Sequence, residues 1–114
     1  MAGDRTMKYD VVVPRHVRDE LEAASEWYRL RSLSEDVANR WLHGFQEAIA
    51  SLARDPDRCS IARESLQFAF EIRELLYGSG RRKTHRALFR IVANRVEVMA
   101  IRHVAQRDLT PDDL

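Results

Sequence analysis

A single cysteine, Cys59, rules out an internal disulfide framework and fits a reducing compartment, so the chain is expected in the cytoplasm. No apolar run exceeds five residues, too few to cross a bilayer, and no membrane partner is expected. The N-terminal MAGDRTMKYD lacks the apolar segment of a secretory signal. His16, His43, His85, His103 and Cys59 show no metal-ligand spacing, so neither a metal nor another cofactor is expected. The GSG of residues 78–80 is followed by RRK and a strand pattern, whereas a phosphate-binding loop opens a helix. There is no G-x-S-x-G elbow, no paired-carboxylate site, no repeat and no low-complexity segment. These absences argue against a conventional hydrolase or metalloenzyme.

The chain has 114 residues, 45% hydrophobic and 32% charged, which suits one folded domain with a single core. Its formal net charge of +1 hides an asymmetry. Residues 1–71 carry 10 Lys and Arg against 13 Asp and Glu, residues 72–107 carry 9 against 2, and residues 108–114 add three aspartates. The middle block, at +7, admits either a polyanion partner or a sheet edge guarded by cations against aggregation.

Lys8–Val13 is a β-branched run stopped by Pro14 and predicts a strand. Val17, Leu21, Ala24 and Tyr28 recur at helical spacing, broadened by Trp27 and Leu30, predicting a helix over 15–31 with Asp19, Glu20 and Glu22 in its first turns. Ser34 is the expected N-cap of a second helix, whose face runs through Val37, Trp41, Phe45, Ala48, Ile49 and Leu52 to a stop at Pro56. The short link makes the two helices an antiparallel hairpin. Residues 57–69 lack a period and read as a loop. Glu71–Tyr77, Thr84–Ala93 and Val96–His103 read as strands, with Gly78 and Gly80 supplying positive φ in the first turn and Asn94-Arg95 making the second. The expected fold is α+β with the order β-α-α-β-β-β: an antiparallel-rich sheet with the helical hairpin on one face. Residues 1–6 are expected to be a flexible extension before a native start at Met7, 7–109 the domain, and 110–114 a tail with a short turn at Thr110-Pro111.

Alternation puts Arg73, Leu75 and Tyr77 on one face of their strand. In the next strand His85, Ala87, Phe89 and Ile91 form the helix-packed side, leaving Arg86 and Arg90 on the uncovered face, with Arg73 a candidate neighbour. Both faces of the last strand are mixed, so period alone does not place Arg102 or His103. Arg81, Arg82 and Lys83 rim the turn. Guanidiniums fixed on strands can grip phosphates bidentately, and a histidine can exchange a proton with a substrate. The plainer alternative pairs Arg73 and Arg86 with Glu71, Glu74 or Glu97.

From the YDVVV strand onward the chain resembles the RelE/ParE superfamily of bacterial type II toxin–antitoxin toxins. The resemblance is carried by YDVVV, the hairpin ending ASLARDPDR, then EIRELLYG, HRALFRI and VEVMAIRH in that order and spacing. It implies a compact toxin, acting in growth arrest and plasmid stabilisation, that is neutralised in an oligomeric complex with a cognate antitoxin. Two targets go with the fold. RelE-like members cleave mRNA in the ribosomal A site with a basic cluster on the concave sheet face, which needs 2′-hydroxyl activation, charge stabilisation and leaving-group protonation. ParE-like members inhibit DNA gyrase and are not nucleases. Arg73, Arg86 and His103 match family positions and are the catalytic candidates of the ribonuclease reading. Arg81, Arg82, Lys83, Arg90 and Arg102 are its nucleic-acid-binding candidates. Ribonuclease members often end with a catalytic tyrosine; here no tyrosine follows Tyr77, and the ending IRHVAQRDL is closer to ParE-like members. A toxin-derived domain that only binds an antitoxin-like partner is the third reading.

Overall fold

The computed structural model describes residues 8–78 and 80–114. The expected extension 1–6 and the Met7 start lie outside the described residues. In chain order come β1 (Asp10–Val12), α1 (Arg15–Ser32), α2 (Glu35–Ala50), β2 (Ser60–Ile61), β3 (Arg73–Tyr77), β4 (His85–Val92) and β5 (Arg95–His103). Short 3-10 turns cover Ser51–Ala53, Pro56–Arg58, Arg63–Gln67 and Pro111–Asp113. The strands form one mixed sheet ordered β1-β5-β4-β3-β2, with β1 parallel to β5 and every other pair antiparallel. The α+β class and the hairpin against one face agree with the expectation, and β2 is an added two-residue strand inside the segment expected to be a loop.

The helices pack by the stripes seen in the sequence. Val17 and Leu21 of α1 and Trp41, Phe45 and Ile49 of α2 are buried against Ala87, Phe89, Val96, Val98 and Ile101 of the sheet. Each fully buried large side chain there contributes roughly 1.5–3 kcal/mol. Small residues meet where the helices cross, with Ser25 Oγ donating to the Ala38 carbonyl at 3.4 Å. Gly44 has a similar role: a Cβ there would lie 2.2 Å from the Tyr77 hydroxyl. Its absence lets Tyr77 stack on Phe45 at 4.4 Å and donate to the Trp41 carbonyl at 2.9 Å.

Helix ends follow local chemistry. Ser34 caps α2 by accepting the Val37 N–H at 3.2 Å. At the start of α1, Pro14 offers no side-chain cap and the first turn itself holds no acid. The acidic residues fall in the second turn, where Glu20 turns inward to β5. Its carboxylate accepts the Ile101 N–H at 2.8 Å, while one turn earlier His16 Nε2 donates to the Met99 carbonyl at 2.9 Å. Strand β1 pairs only with Arg95–Glu97, so these two side chains satisfy backbone groups of β5 that lie beyond its reach.

The register explains the mixed faces of β5. Leu88 pairs with Ala100 but Phe89 pairs with Val98, so Met99 is an extra residue, a β-bulge. Before it, Val96 and Val98 face the helices; after it, Ile101 does. Met99 and Ala100 both join a second small core with Ala62, Ile72, Leu88 and Leu109, flanked by Phe68 and Phe70. The face expected to be uncovered is therefore roofed by residues 62–72 and the C-terminal segment. Two turns also differ in detail. Val92 pairs with Arg95, so the reversal is Ala93-Asn94, with Ala93 at φ 54. Among the described residues of the β3–β4 turn only Gly80 has positive φ, while Gly78 lies where a Cβ would meet the Arg82 carbonyl at 2.0 Å.

Leu33 ends α1 in the left-handed conformation (φ 56) with its side chain 89% exposed. Glycine suits that position better, and no packing would be lost. Leu33→Gly is expected to raise the urea midpoint, by up to about 1 kcal/mol of unfolding free energy.

Candidate functional site

Arg86 lies on the second face of β4, at 2% exposure. Its Nη1 donates to Glu64 Oε1 at 2.9 Å and to Glu74 Oε1 at 3.0 Å, and its Nη2 to Glu64 Oε2 at 2.5 Å. Glu64 is fully buried in the Arg63–Gln67 turn and also accepts the Leu109 N–H at 3.2 Å. Burial alone would raise the Glu64 pKa, but the bonds from Arg86 and Leu109 outweigh it and hold the carboxyl below its ordinary value. The same bonds from Glu64 raise Arg86 further above the ordinary guanidinium value. Arg86 thus welds the turn, the C-terminal segment and the sheet together, with no donor edge facing open solvent.

Arg73 sits on the opposite face. It pairs in register with Phe89, a helix-side core residue, so it does not stand beside Arg86. Its Nη1 donates to the carbonyls of Cys59 at 2.6 Å and Asp57 at 3.0 Å, and it forms an ion pair with Glu71 at 3.0 Å. The effect is to hold the 57–59 segment against the sheet.

His103 also lies on the helix side, opposite His85, with ring centroids 5.2 Å apart. Its Nδ1 accepts the Ala105 N–H at 3.0 Å. Along β4 the Arg73 and His103 levels are separated by four residues, about 13 Å. His85 is buried among Trp41, Tyr28 and Phe45 and bonds Thr84 Oγ1 through Nδ1 at 2.9 Å. Burial, with a smaller contribution from the His103 charge, pushes the His85 pKa down to about 4. The three candidate catalytic residues therefore do not converge: Arg73 and His103 occupy opposite ends of one face, and Arg86 the other face.

The remaining candidates differ in their settings. Arg90 donates to Glu97 at 2.7 Å and lies over the Phe70 ring at 4.5 Å. Arg81, Arg82 and Lys83 project from the β3–β4 turn as exposed cations. Arg102 is 8% exposed, its Nη2 donates to the Arg107 carbonyl at 2.7 Å, and its Nε has no partner. Among the described residues it forms no ion pair. Sequence reasoning missed Glu64, which sits in a stretch without period; its only sequence signal was a lone acid next to Arg63. Among the described residues no cluster of His, Cys, Asp and Glu could hold a metal, and no helix is long and apolar enough to cross a membrane.

Removing one member of a buried ion pair strands the other charge, a loss of roughly 3–5 kcal/mol. Arg86→Ala should lower unfolding free energy by that order in urea titrations, so any loss of activity it causes has to be read beside its stability. His85 gives a pH prediction. With a folded pKa of about 4 against 6.5 unfolded, the unfolded state binds more protons between those values. Its contribution is complete above pH 6.5 and is lost as pH falls toward 4. Glu64, held below its ordinary value, adds a further loss at lower pH. Urea midpoints should fall from pH 7 to pH 4 in the wild type and fall less steeply in His85→Gln.

The model of the family described as "ParE toxin of type II toxin-antitoxin system, parDE" matches residues 11–108. A search of curated proteins returns no match. The match runs from within β1 past the end of β5 and includes both helices, β2–β5 and the buried Arg86–Glu64 pair. The chain belongs to the ParE toxin family of type II toxin–antitoxin systems.

Proposed function

We propose that this toxin arrests growth by binding a protein target, with DNA gyrase as that target, and that it does not cleave RNA. The carrying observation is the dispersal of Arg73, Arg86 and His103 over two faces of the sheet, each held by other parts of the chain. General acid–base cleavage needs its groups within hydrogen-bond reach of one phosphodiester. The absence of a tyrosine beyond Tyr77 supports the same reading. A binding inhibitor needs an exposed surface instead, and the hairpin end provides one with Trp27, Leu30 and Leu33 at 52%, 60% and 89% exposure.

The test is induction of the chain in a bacterium with and without the small reading frame next to its gene. Growth arrest relieved by that neighbour, with loss of supercoiling by purified gyrase, is the expected outcome. New mRNA ends on translating ribosomes, with supercoiling unchanged, would replace this reading with ribosome-dependent mRNA cleavage. Harmless expression in several hosts would leave a toxin-derived domain that only binds its partner.

A further inference from the structure

The β3–β4 turn carries three consecutive cations, Arg81, Arg82 and Lys83, all exposed. Several arginines elsewhere on the surface are answered from within the chain: Arg29 by Glu26, Arg63 by Asp108, Arg95 by Glu97 and Arg107 by Asp113. Among the described residues, no acid pairs with the three turn cations. The base of the turn is nonetheless fixed. The Thr84 N–H donates to the Tyr77 carbonyl at 2.9 Å, and the Val104 N–H to the Thr84 carbonyl at 2.8 Å. Three like charges on a fixed base repel one another, and a polyanion relieves that repulsion.

The turn adjoins the hairpin end. The Tyr28 hydroxyl of α1 shares a hydrogen bond with Thr84 Oγ1 at 3.5 Å. The Tyr28 ring meets the Trp27 ring at right angles, 5.2 Å between centroids, and the Arg31 guanidinium lies over Trp27 at 4.9 Å. The apolar surface offered to gyrase by Trp27, Leu30 and Leu33 thus continues through Tyr28 to the residue after Lys83. A protein seated on the hairpin end has the turn cations at its border. Gyrase works on duplex DNA, which carries one negative charge per roughly 1.7 Å of its axis. A folded protein surface does not reach that density of anions, so the turn suits phosphate better than carboxylate.

We propose that, with the hairpin end seated on gyrase, the β3–β4 turn lies against the phosphate backbone of the DNA that the enzyme holds. The contact is independent of base sequence and weak by itself. Three cations on phosphate bind free duplex with a Kd on the order of 0.1 mM at physiological salt. Once gyrase tethers the toxin, neighbouring DNA has an effective concentration on the order of 1 mM, and the same contact raises affinity about tenfold. The toxin therefore prefers gyrase engaged on DNA to the free enzyme. This inference rests on the gyrase reading and adds to it a second ligand and the residues that touch it.

The test is binding of the full chain to purified gyrase, alone and preloaded on a linear duplex. Wild type is expected to bind the loaded enzyme about tenfold more tightly at physiological salt. That gain should shrink by up to roughly 40-fold between about 50 and 200 mM salt, as three released counterions require. Arg81→Ser, Arg82→Ser and Lys83→Ser together should bind free gyrase within about twofold of wild type and lose the gain on DNA. Arg81→Lys with Arg82→Lys should keep it, because a backbone contact of this kind needs the charge and not the planar fork. Circular dichroism melts check each fold; if the triple variant does not fold, the salt dependence and the lysine pair decide. Equal wild-type affinity for free and loaded gyrase, or a gain indifferent to salt, overturns the inference and leaves the gyrase reading standing. A triple variant that loses as much affinity for free gyrase as for the loaded enzyme assigns the turn to an acidic protein surface, and overturns it too. No wild-type binding to gyrase in either state overturns both readings.

Discussion

The structure turns on two charges that have left water together. Arg86 and Glu64 are both buried, and taking such ions out of solvent costs several kcal/mol each unless their bonding capacity is filled. Three separate parts of the chain fill most of it, leaving Arg86 Nε without a partner. The Arg63–Gln67 turn brings Glu64, β3 brings Glu74, and the C-terminal segment brings the Leu109 N–H. The turn and the C-terminal segment also carry apolar anchors, Leu109 beside Ala62 and Ile72. Burial of those anchors and completion of the ion network require each other. The second face is held in one arrangement by geometry more than by any surplus of stability.

This resolves the charge asymmetry of the sequence. The +7 block of residues 72–107 is answered largely by carboxylates, and two of the main ones, Glu64 and Glu71, come from outside it. Local net charge therefore overstated the bare potential of the sheet. The exposed cations that remain cluster at the β3–β4 turn, which concentrates attraction at one end of the molecule.

What could be read in advance depended on period and punctuation. The helices announced themselves through Val17, Leu21, Trp41, Phe45 and Ile49, with Ser34 and Pro56 marking limits, and the helix face of β4 followed from strict alternation. The faces of β5 were illegible because the extra residue at Met99 reverses the phase of alternation halfway along, and nothing in the residue types marks a bulge. Arg73 was grouped with Arg86 because alternation orders residues within a strand but does not set the register between strands. Glu64 escaped because its segment forms 3-10 turns, whose side chains follow neither the helical nor the strand period.

The caps that His16 and Glu20 place on β5 have a consequence for how the molecule meets others. Where β1 stops, α1 already occupies the hydrogen-bonding rim of β5, as a neighbouring strand would. The outermost strands are three and two residues long. Little unclaimed main chain is left along that rim of β5 for another polypeptide to zip onto. At that rim recognition is left to side chains, where a partner can be told from a stranger, and not to backbone pairing, which is indifferent to sequence.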